Sequence, residues 1–532
     1  MNTTFLVKIL ISDPITEEGL GILENAGIYI KYLPDASQSE KENAAKNVHG
    51  WIIRSGTKIT SKGLDLAKNL MVIGRAGVGV DNIDLNAATR RGVVVMNTPD
   101  ANTISAAEHT ITLMLSLSRN IYQGHHSLRN GNWDRHKLVG TEISGKFLGV
   151  IGLGKIGKEV IKRCQSFNMK VIVYDPYVNQ KIYEGQKIQF VDFDDLLSKS
   201  DYITIHIPLS PDTKNLFNYD RLLLMKPTAR IINVARGGII NENDLSKALK
   251  NKIIAGAAID VFEKEPIDNR HPFMGIENIL LTPHLGASTQ EAKAGVSKII
   301  CAQLRDYLIN EELSNAINMP IKNLELLKDI QPYLELAELL GRIQSQLSDN
   351  PINWVQIRCF GTIKETKLIH LAFIRGMLKK RVPDRINFIN AEAMATELGI
   401  NFEVSYSNNL GNHSNLISSI VKSDNNKNRI DGSVFDNKYP RLIDINNYKM
   451  EINPSGTMLF IENKDVPGVI GNVGTFLGRQ DINIAAYILS RKSDNGNAFA
   501  VIRVDNILSD EQINILNKMQ YIKYCKQIIL KD

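Results

Sequence analysis

The chain has 532 residues, too many for a single hydrophobic core, so several domains are expected. Its hydrophobic fraction of 43% and charged fraction of 23% are typical of a globular protein, and its net charge of +6 forms no basic block, which argues against a nucleic-acid partner. Four widely separated cysteines, and the lack of any apolar run near the roughly 18 residues of a membrane span, favour a cytoplasmic protein without a disulfide framework or a membrane partner.

Residues 1–98 alternate short β-rich runs with helical segments, a pattern typical of parallel βα units. No glycine-rich fingerprint opens a helix in this region, so it is predicted to hold substrate groups and no dinucleotide. Ligands gather at the carboxyl ends of strands in open parallel sheets, and polar loops at Arg54-Ser55 and at Arg75 follow two of the runs. The predicted strands are residues 6–12, 28–33, 50–54, 70–74 and 93–97.

A glycine-rich turn follows the strand-type run at residues 147–151, in the order Gly152-Leu153-Gly154-Lys155-Ile156-Gly157, and then passes into a helical pattern. A bound dinucleotide requires this order. The first glycine permits a tight turn, the second lets the backbone approach the pyrophosphate, and the third lets helix pack on strand. The pyrophosphate then lies on N–H groups at the positive end of the helix. We therefore predict a Rossmann-type domain in which Gly152, Gly154 and Gly157 bind the cofactor.

The next strand, predicted at residues 170–175, ends in Asp175, 18 residues after Gly157. A carboxylate at this position accepts hydrogen bonds from the ribose hydroxyls of the adenosine and repels a 2′-phosphate. Asp175 before Pro176 is also an ordinary strand-end turn residue. With the glycines at the right distance upstream, cofactor binding is favoured, and the cofactor is NAD and not NADP.

Three later strands of this region, predicted at residues 229–234, 255–261 and 278–282, also end in reactive side chains. They are followed by Arg236, by a carboxylate within the segment 260–266, and by His284, all on the same edge as the glycine turn. Histidine can take the hydroxyl proton during hydride transfer, a carboxylate can hold its tautomer, and arginine can grip a substrate carboxylate. Singly each is more often structural. Together they favour catalysis by a dehydrogenase.

The predicted fold class is α/β, with a Rossmann-type parallel-sheet dinucleotide domain (99–289) inserted into a flavodoxin-like substrate domain (1–98 plus 290–320). Residues 290–318 are predicted to be helical up to a boundary at Pro320. An α+β region (321–452) follows, with a helix at 324–347, a hydrophilic turn or loop at 424–429 and no catalytic constellation. Residues 453–532 follow the order βαββαβ of a small ferredoxin-like sandwich.

These motifs resemble the signatures of the D-isomer-specific 2-hydroxyacid dehydrogenase family. The signatures are Asn233-Val234-Ala235-Arg236-Gly237-Gly238, Asp260-Val261-Phe262-Glu263-Lys264-Glu265-Pro266 and Pro283-His284-Leu285-Gly286-Ala287-Ser288. The segments 75–82, 97–99 and 105–108 are similar to the long-form branch of that family, which oxidises 3-phosphoglycerate in serine biosynthesis. The similarity covers the whole chain, because that branch also carries an intervening domain and a C-terminal ACT domain, a small-molecule sensor.

The resemblance implies NAD as cofactor and Arg236, Glu265 and His284 as the catalytic residues. Where Val78 and Ile207 stand, the family often has a hydroxyl side chain, so only backbone contacts carry over there. The implied cofactor contacts beyond the glycines are Lys155, Ile156, Asp175, Val234, Ala235, Arg236, Asp260, His284 and Gly286. The substrate, 3-phosphoglycerate, is expected to meet Arg54, Ser55, Arg75, Asn102 and Arg236. No metal is expected.

The resemblance also implies a homo-oligomer, a dimer or a tetramer. A dimer formed through residues 105–133 would carry Arg135 towards the neighbouring site. In the C-terminal module, Asn463, Asp465 and Asn483 are the expected contacts of L-serine as a feedback effector. Asn and Asp at loop ends are also ordinary cap and turn residues.

Two other functions remain open at this point. The chain could be another D-2-hydroxyacid dehydrogenase, such as a hydroxypyruvate or glyoxylate reductase. The basic loop residues and the sensor module argue against this alternative. It could also be a non-catalytic NAD-sensing binding protein of the same fold, which would not need an amino-acid sensor.

Overall fold

The computed structural model describes residues 6–99, 101–310, 312–320, 330–361, 363, 365–383, 385–408, 415–424, 426–492 and 496–530. Four β-sheets organise them, of five, seven, six and four strands. Among these residues, no helix is both long and apolar enough to cross a bilayer. The two N-terminal sheets are parallel throughout, which confirms the predicted fold class.

The first sheet has the strand order β2-β1-β3-β4-β5, the flavodoxin-like arrangement. Its strands alternate between two apolar faces: Ile9 and Ile11 lie in one core, whereas Leu10 lies in the other. The elements are β1 (Lys8–Ile11), α1 (Glu17–Glu24), β2 (Tyr29–Tyr32), α2 (Gln38–Ala44), β3 (Gly50–Ile53), α3 (Ser61–Leu66), β4 (Val72–Arg75), α4 (Leu85–Arg90) and β5 (Val94–Asn97).

The second sheet has the order β12-β11-β10-β9-β6-β7-β8, so the direction of winding reverses between β6 and β9. Ligands of such sheets bind at this switch point. The predicted strands were correct except that β8 was missed, a short strand with little apolar signal. The elements are α5 (Thr103–Ser118), α6 (Ile121–Arg129), β6 (Phe147–Ile151), α7 (Lys155–Ser166), β7 (Lys170–Tyr174), β8 (Ile188–Phe190), α8 (Phe193–Lys199), β9 (Tyr202–Ile205), α9 (Tyr219–Leu223), β10 (Arg230–Asn233), α10 (Glu242–Lys250), β11 (Gly256–Ile259) and β12 (Ile279–Leu281).

The chain then returns to the first sheet through α11 (Gln290–Asn310). Ile300 and Leu304 of this helix share a core with Ile9 and Ile11, and a Cβ on Gly74 of β4 would collide with Leu304. Where α5 enters and α11 leaves the second sheet, the Ser105 and Thr289 hydroxyls are 2.8 Å apart. The two crossings between the sheets therefore lie side by side.

The predicted helix over residues 290–318 is wrong beyond Asn310. Ala316 pairs with Met96 of β5 in an isolated bridge, and the Asn318 side chain accepts from the Val95 N–H and donates to the Val93 carbonyl. Asn315 has a φ of 48°, which interrupts a right-handed helix. Hydrogen bonds to the open edge of β5 thus replace the helical ones.

The third sheet, in the order β14-β13-β15-β16-β17-β18, is antiparallel except for the β13–β14 pair. The predicted loop at 424–429 is wrong for residues 426–429, which open β16 and pair with β15, as in Lys427 opposite Lys422; residue 425 lies outside the described residues. The elements are α12 (Gln331–Leu347), β13 (Trp354–Gly361), α13 (Thr366–Leu378), α14 (Ala391–Glu397), β14 (Asn401–Ser407), β15 (Asn415–Ser423), β16 (Asn426–Phe435), β17 (Tyr439–Ile445) and β18 (Tyr448–Ile452).

The fourth sheet is antiparallel, in the order β20-β21-β19-β22. One face packs on its own two helices through Leu459 and Ile461. The other face, with Phe460 and Phe499, is buried in the core of the third sheet, so the two C-terminal sheets form one packed body. The elements are β19 (Thr457–Lys464), α15 (Val469–Arg479), β20 (Ile484–Arg491), β21 (Asn497–Val504), α16 (Asp510–Lys518) and β22 (Ile522–Ile529).

Candidate active site

The fold itself requires two of the three glycines of the turn after β6. Gly152 has a φ of +93°, and an added Cβ would lie 2.6 Å from the His206 carbonyl oxygen. A Cβ on Gly157 would collide with the Gly152 carbonyl oxygen. Tight turning at the first glycine and close helix packing at the third therefore have a steric cause.

Gly154 differs, because no described residue demands a glycine there. Its φ is −72°, and an added Cβ would meet no atom of the described residues within 4 Å. It forms the N-cap of the 12-residue helix α7, which has no side-chain cap and whose first residues are Lys155 and Ile156. The space that a side chain would fill lies at the positive end of a helix dipole. This surface fits the pyrophosphate of a dinucleotide.

Asp175 is the first residue after β7 and adjoins the glycine turn. Its Oδ2 accepts from the Leu153 N–H (2.8 Å) and its Oδ1 from the Tyr177 N–H (3.0 Å). These bonds orient a half-buried carboxylate beside Gly152. The position suits the ribose contact that was predicted for it.

The remaining predicted residues follow β10, β11 and β12, which are neighbours at one end of the second sheet. Loop contacts bring these strand ends together. A Cβ on Gly237 would collide with the Phe262 carbonyl oxygen, and a Cβ on Gly286 would lie 2.8 Å from Val234. Val234, Ala235 and Arg236 after β10, Asp260 and Glu265 after β11, and His284 and Gly286 after β12 therefore form one continuous edge with the glycine turn.

His284 and Glu265 form a hydrogen-bonded pair. The His284 Nδ1 lies 2.8 Å from the Glu265 Oε2, while the Glu265 Oε1 accepts from the Phe262 N–H at 3.0 Å. The ring is about half exposed, so with Nδ1 engaged, Nε2 is the nitrogen that can meet a substrate. Histidine held in one tautomer by a carboxylate is the arrangement of a general base.

Glu265 is ionised in this arrangement. Burial alone would raise the pKa of its carboxyl group, but the hydrogen bonds from His284 and from the Phe262 N–H outweigh burial and hold the pKa below its usual value. The pair therefore keeps a negative charge beside the imidazole at neutral pH.

Asp260 is fully buried, and its role in the loop after β12 is organisational. Its Oδ1 accepts from the Thr282 hydroxyl and the Leu285 N–H, and its Oδ2 accepts from the Gly286 N–H. Burial raises the pKa of this carboxyl group, but these bonds and His109 hold it below its usual value. The His109 Nε2, 3.1 Å from Oδ1, was not predicted from sequence; it directly follows the segment 105–108, and no spacing rule marks it.

Arg236 reaches across from the second sheet to the first. Its Nε lies 3.3 Å from the Asp81 Oδ2 in the loop after β4, and Nη1 donates to the Ala235 carbonyl. A Cβ on Gly79 would collide with the Arg236 guanidinium. The loops of the two sheets therefore meet at this arginine.

Arg75 lies within electrostatic range of both Arg236 and Arg54. Burial, then Arg236 and Arg54, lower the pKa of Arg75 to about 10, while Asp81 and Asp13 oppose the shift. The Arg75 Nε is buried without a hydrogen-bond partner among the described residues. The three guanidinium groups share two nearby carboxylates, Asp81 and Asp13, so their positive charge is only partly compensated.

The loop that carries Arg54 and the exposed Ser55 is held by Asp13, a residue that sequence reasoning did not single out. Its Oδ2 accepts from the N–H groups of Arg54 and Thr57. Buried Lys41 lies 3.8 Å from the Asp13 Oδ1 and donates to the Thr57 hydroxyl. Asp13 ends the region of β1, so the strand-end rule that identified Arg54 would also have found it.

The other predicted residues are more scattered. Asn102 is the N-cap residue of α5, and its Oδ1 is buried without a partner among the described residues. Arg135 is exposed on the short 3-10 helix Arg135–Lys137. In the fourth sheet, Asp465 pairs with Arg491 (3.2 Å) near Asn463, whereas Asn483 donates to Asp505 at the opposite end. One chain does not bring these three effector residues together.

The chain is similar to known protein families and solved structures. Residues 111–286 match the sequence model of the D-isomer specific 2-hydroxyacid dehydrogenase NAD binding domain, and residues 329–446 match that of the D-3-phosphoglycerate dehydrogenase intervening domain. Among solved structures, the NAD-dependent formate dehydrogenase from Staphylococcus aureus in complex with NAD is 30% identical with a TM-score of 0.53, covering 58% of this chain and 98% of that one. D-lactate dehydrogenase from Escherichia coli is 27% identical with a TM-score of 0.53, covering 59% and 100%.

Two curated relatives align along almost their entire length. D-3-phosphoglycerate dehydrogenase of Methanocaldococcus jannaschii is 39% identical over 97% of this chain and 99% of its own. D-3-phosphoglycerate dehydrogenase of Bacillus subtilis is 37% identical over 99% and 100%. With an NAD-binding domain, an intervening domain and relatives of this identity over nearly the full length, the chain belongs to the D-3-phosphoglycerate dehydrogenase family.

Proposed function

We propose that this protein oxidises 3-phospho-D-glycerate to 3-phosphooxypyruvate with NAD, the first step of L-serine biosynthesis. The observation that carries the proposal is the His284–Glu265 pair, at 2.8 Å, on the same sheet edge as the glycine turn and Arg236. Family membership supports the same conclusion.

The roles of the residues follow from their chemistry. NAD, when bound, accepts the hydride from the carbon that bears the substrate hydroxyl. The His284 Nε2 takes the hydroxyl proton, and the Glu265 carboxylate stabilises the imidazolium that forms. Arg236 binds the substrate carboxylate through its planar fork and polarises the oxygen that becomes the carbonyl. Gly154 and the first turn of α7 hold the pyrophosphate, and Asp175 holds the ribose.

The arginine cluster explains a preference for a phosphorylated substrate. A phosphate monoester carries about −1.5 to −2 charges at neutral pH and the carboxylate adds one more. Arg54, Arg75 and Arg236 supply three positive charges, of which Arg75 interacts with both of the others. A substrate lacking the phosphate would leave part of this positive potential uncompensated.

One assay separates the possible functions. NADH formation is measured at equal concentrations of 3-phosphoglycerate and of glycerate, with the same enzyme and NAD. Activity that depends on the phosphate supports the proposal. Equal rates on both substrates indicate another D-2-hydroxyacid dehydrogenase, and NAD binding without turnover of either indicates a non-catalytic NAD-sensing protein.

Replacing Arg54 with glutamine is expected to raise KM for 3-phosphoglycerate about 10-fold, since one hydrogen bond to a charged group contributes about 1.5–3 kcal/mol. KM for NAD should not change, because Arg54 lies on the first sheet. Arg270→Gln is the matched control: Arg270 is exposed and paired with Asp268. Equal changes in both KM values for Arg54→Gln would remove Arg54 from the substrate site.

We also propose that the protein is a homo-oligomer, a dimer or a tetramer. Helix α6 has no buried residue in this chain. The arm that contains it exposes Ile121 (59%), Leu128 (59%), Trp133 (81%) and Val139 (81%), an apolar density typical of a contact surface. A second copy on this arm would also receive Arg135. A monomeric mass by light scattering at micromolar concentration would contradict the proposal.

L-serine is the proposed effector, bound between two copies of an ACT-type C-terminal module. β20 is an edge strand, with Asn483 just before its first residue and Arg491, the partner of Asp465, at its last. Antiparallel pairing of two β20 edges places the start of one strand beside the end of the other. The partner subunit's Asn483 would then approach Asp465 and Asn463, which a single chain keeps apart.

Titration calorimetry with L-serine is expected to give saturable heat with the wild type, and none with Asn483→Ala, because the variant loses a side-chain amide contact to the ligand. D-serine serves as the stereochemical control. A wild-type titration without heat would exclude this effector.

The protein is proposed to act in the cytoplasm. Its four cysteines are free and buried, and burial raises the pKa of each thiol to about 12, which keeps them unreactive. Cell fractionation tests the location directly.

A further inference from the structure

A second histidine–carboxylate pair lies behind the proposed catalytic pair. The His271 Nε2 is 3.0 Å from the Glu242 Oε2, with side-chain exposures of 10% and 15%. Neither residue belongs to the set expected to touch substrate or cofactor. However, Glu242 directly follows the loop that carries Arg236, and it binds the backbone of the loop that carries Glu265.

Glu242 anchors the loop that presents Glu265. Its Oε1 accepts from the Glu263 N–H at 2.8 Å. The adjacent Phe262 N–H donates to the Glu265 Oε1, which turns the other carboxylate oxygen towards His284. The position of the backbone at residues 262–263 therefore sets the direction of the Glu265 side chain.

The same backbone also supports the loop after β10. Gly237, next to Arg236, lies so close to Phe262 that a Cβ would collide with the Phe262 carbonyl oxygen. Glu242 itself is the first residue of α10, five positions after Gly237. One carboxylate thus ties the segment after Arg236 to the segment before Glu265.

His271 binds the Oε2 of Glu242, the oxygen that does not accept from the Glu263 N–H. The His271 Nδ1 accepts from the Phe273 N–H at 3.4 Å, which leaves Nε2 to carry the proton that it donates to Glu242. Its ring packs against Phe262 at 5.5 Å and Phe273 at 4.8 Å between centroids. The aromatic contacts exclude water from the bond and fix the ring.

An ordinary helix cap does not account for this arrangement. The N-cap residue of α10 is Asn241, whose side chain already accepts from the Asp244 N–H. A glutamate in the first turn is favoured by the helix dipole, but such a carboxylate is usually solvated. Both oxygens of Glu242 are instead directed at partners 21 and 29 residues away in sequence.

We propose that Glu242 and His271 are positioning residues for hydride transfer and together form a clamp. The clamp holds Glu265 and Arg236 in fixed relative positions at neighbouring strand ends. The inference rests on the proposed function. Misplacing a catalytic group by about 1 Å can cost about 100-fold in rate. Glu242 and His271 contact neither ligand, so they should influence kcat and, through Arg236, KM for 3-phosphoglycerate, but not NAD affinity.

The test compares Glu242→Ala and Glu242→Gln with Asp268→Asn, which alters an exposed carboxylate on the same loop. Activity is expressed per NAD-binding site counted by titration, so that unfolded protein is excluded. Glu242→Ala is expected to lower kcat about 10- to 100-fold with KM for NAD unchanged. Glu242→Gln keeps an oxygen for the Glu263 N–H and should lose less, and Asp268→Asn should match the wild type.

The pH dependence of kcat is a second measurement, because residues with a merely structural role would not change it. Burial and Asp260 raise the pKa of Glu265, whereas His284 and the Phe262 N–H lower it. Without Glu242 the backbone at residues 262–263 loses its anchor, and a weaker Phe262 bond removes a cause that lowers the Glu265 pKa. The acidic limb of kcat should therefore move to higher pH in Glu242→Ala.

The outcomes are distinguishable from a failure of the proposed function. Wild-type protein that binds NAD and leaves 3-phosphoglycerate unreacted contradicts the function itself. An active wild type with unchanged kcat per NAD site and an unchanged profile in both Glu242 variants overturns the clamp. If Glu242→Ala does not fold, Glu242→Gln alone decides, through the same kcat and pH measurements.

Discussion

Replacement of His284 by asparagine is expected to lower kcat for 3-phosphoglycerate oxidation by about 10²- to 10⁴-fold, the usual contribution of a positioned general base. His284 has a φ of 54°, in the left-handed region that asparagine tolerates better than most residues, so the backbone can stay in place. NAD affinity should remain near that of the wild type. The rate of NADH formation and an NAD titration together provide the measurement.

Arg270→Gln, a change of an exposed side chain in the loop after β11, is the control. A His284→Asn variant that retained more than a tenth of wild-type kcat would show that another group accepts the proton. Unfolding by heat should occur at a similar temperature in both variants and the wild type, because the His284 ring is half exposed.

The carboxylate of Glu265, the partner of His284, predicts how kcat depends on pH in the acidic range. The pKa of Glu265 in the folded protein lies below its ordinary value. The carboxylate is therefore ionised, and the pair keeps its full effect on catalysis, at every pH above the ordinary pKa of a glutamate. Its contribution disappears as pH falls through the lowered pKa. Glu265→Gln should remove the part of the acidic limb that Glu265 contributes, along with most of kcat.

Alanine at Gly154 is expected to weaken NAD binding about 10- to 100-fold and leave the stability of the apoprotein unchanged. In the part of the chain that the structure describes, no atom lies within 4 Å of the added Cβ, and the backbone angles are ordinary. The methyl group would instead occupy the place of the pyrophosphate, and a lost hydrogen bond to a charged group costs about 1.5–3 kcal/mol. NAD titration and thermal unfolding of the apoprotein measure the two effects separately.

Gly152→Ala is the contrasting variant. Its Cβ would lie 2.6 Å from the His206 carbonyl, at a φ of +93°, so strain of about 1–3 kcal/mol should lower stability as well as NAD affinity. If Gly154→Ala bound NAD as tightly as the wild type, the cofactor could not lie on this turn.

Features with a local cause were predictable from sequence. The glycine turn follows from backbone angles and from the packing of one helix on one strand. Gly152 and Gly157 can therefore be recognised from a segment of six residues. Strand ends such as Arg236 and His284 were identified because parallel strands share one carboxyl edge. The helix predicted beyond Asn310 was wrong because the edge of β5, more than 200 residues earlier, supplied better partners.

Sequence by itself therefore determined the class of fold, the dinucleotide turn and the reactive strand ends, since these depend on neighbours in the chain or on a rule of the sheet. Only the tertiary structure revealed the groups that hold them: Asp13 beneath Arg54, His109 beside Asp260, and Glu242 with His271 behind Glu265. These are hydrogen bonds between residues 21 to 151 positions apart, and no pattern of spacing specifies such pairs. They form because burial leaves a polar group only the partners that the fold brings to it.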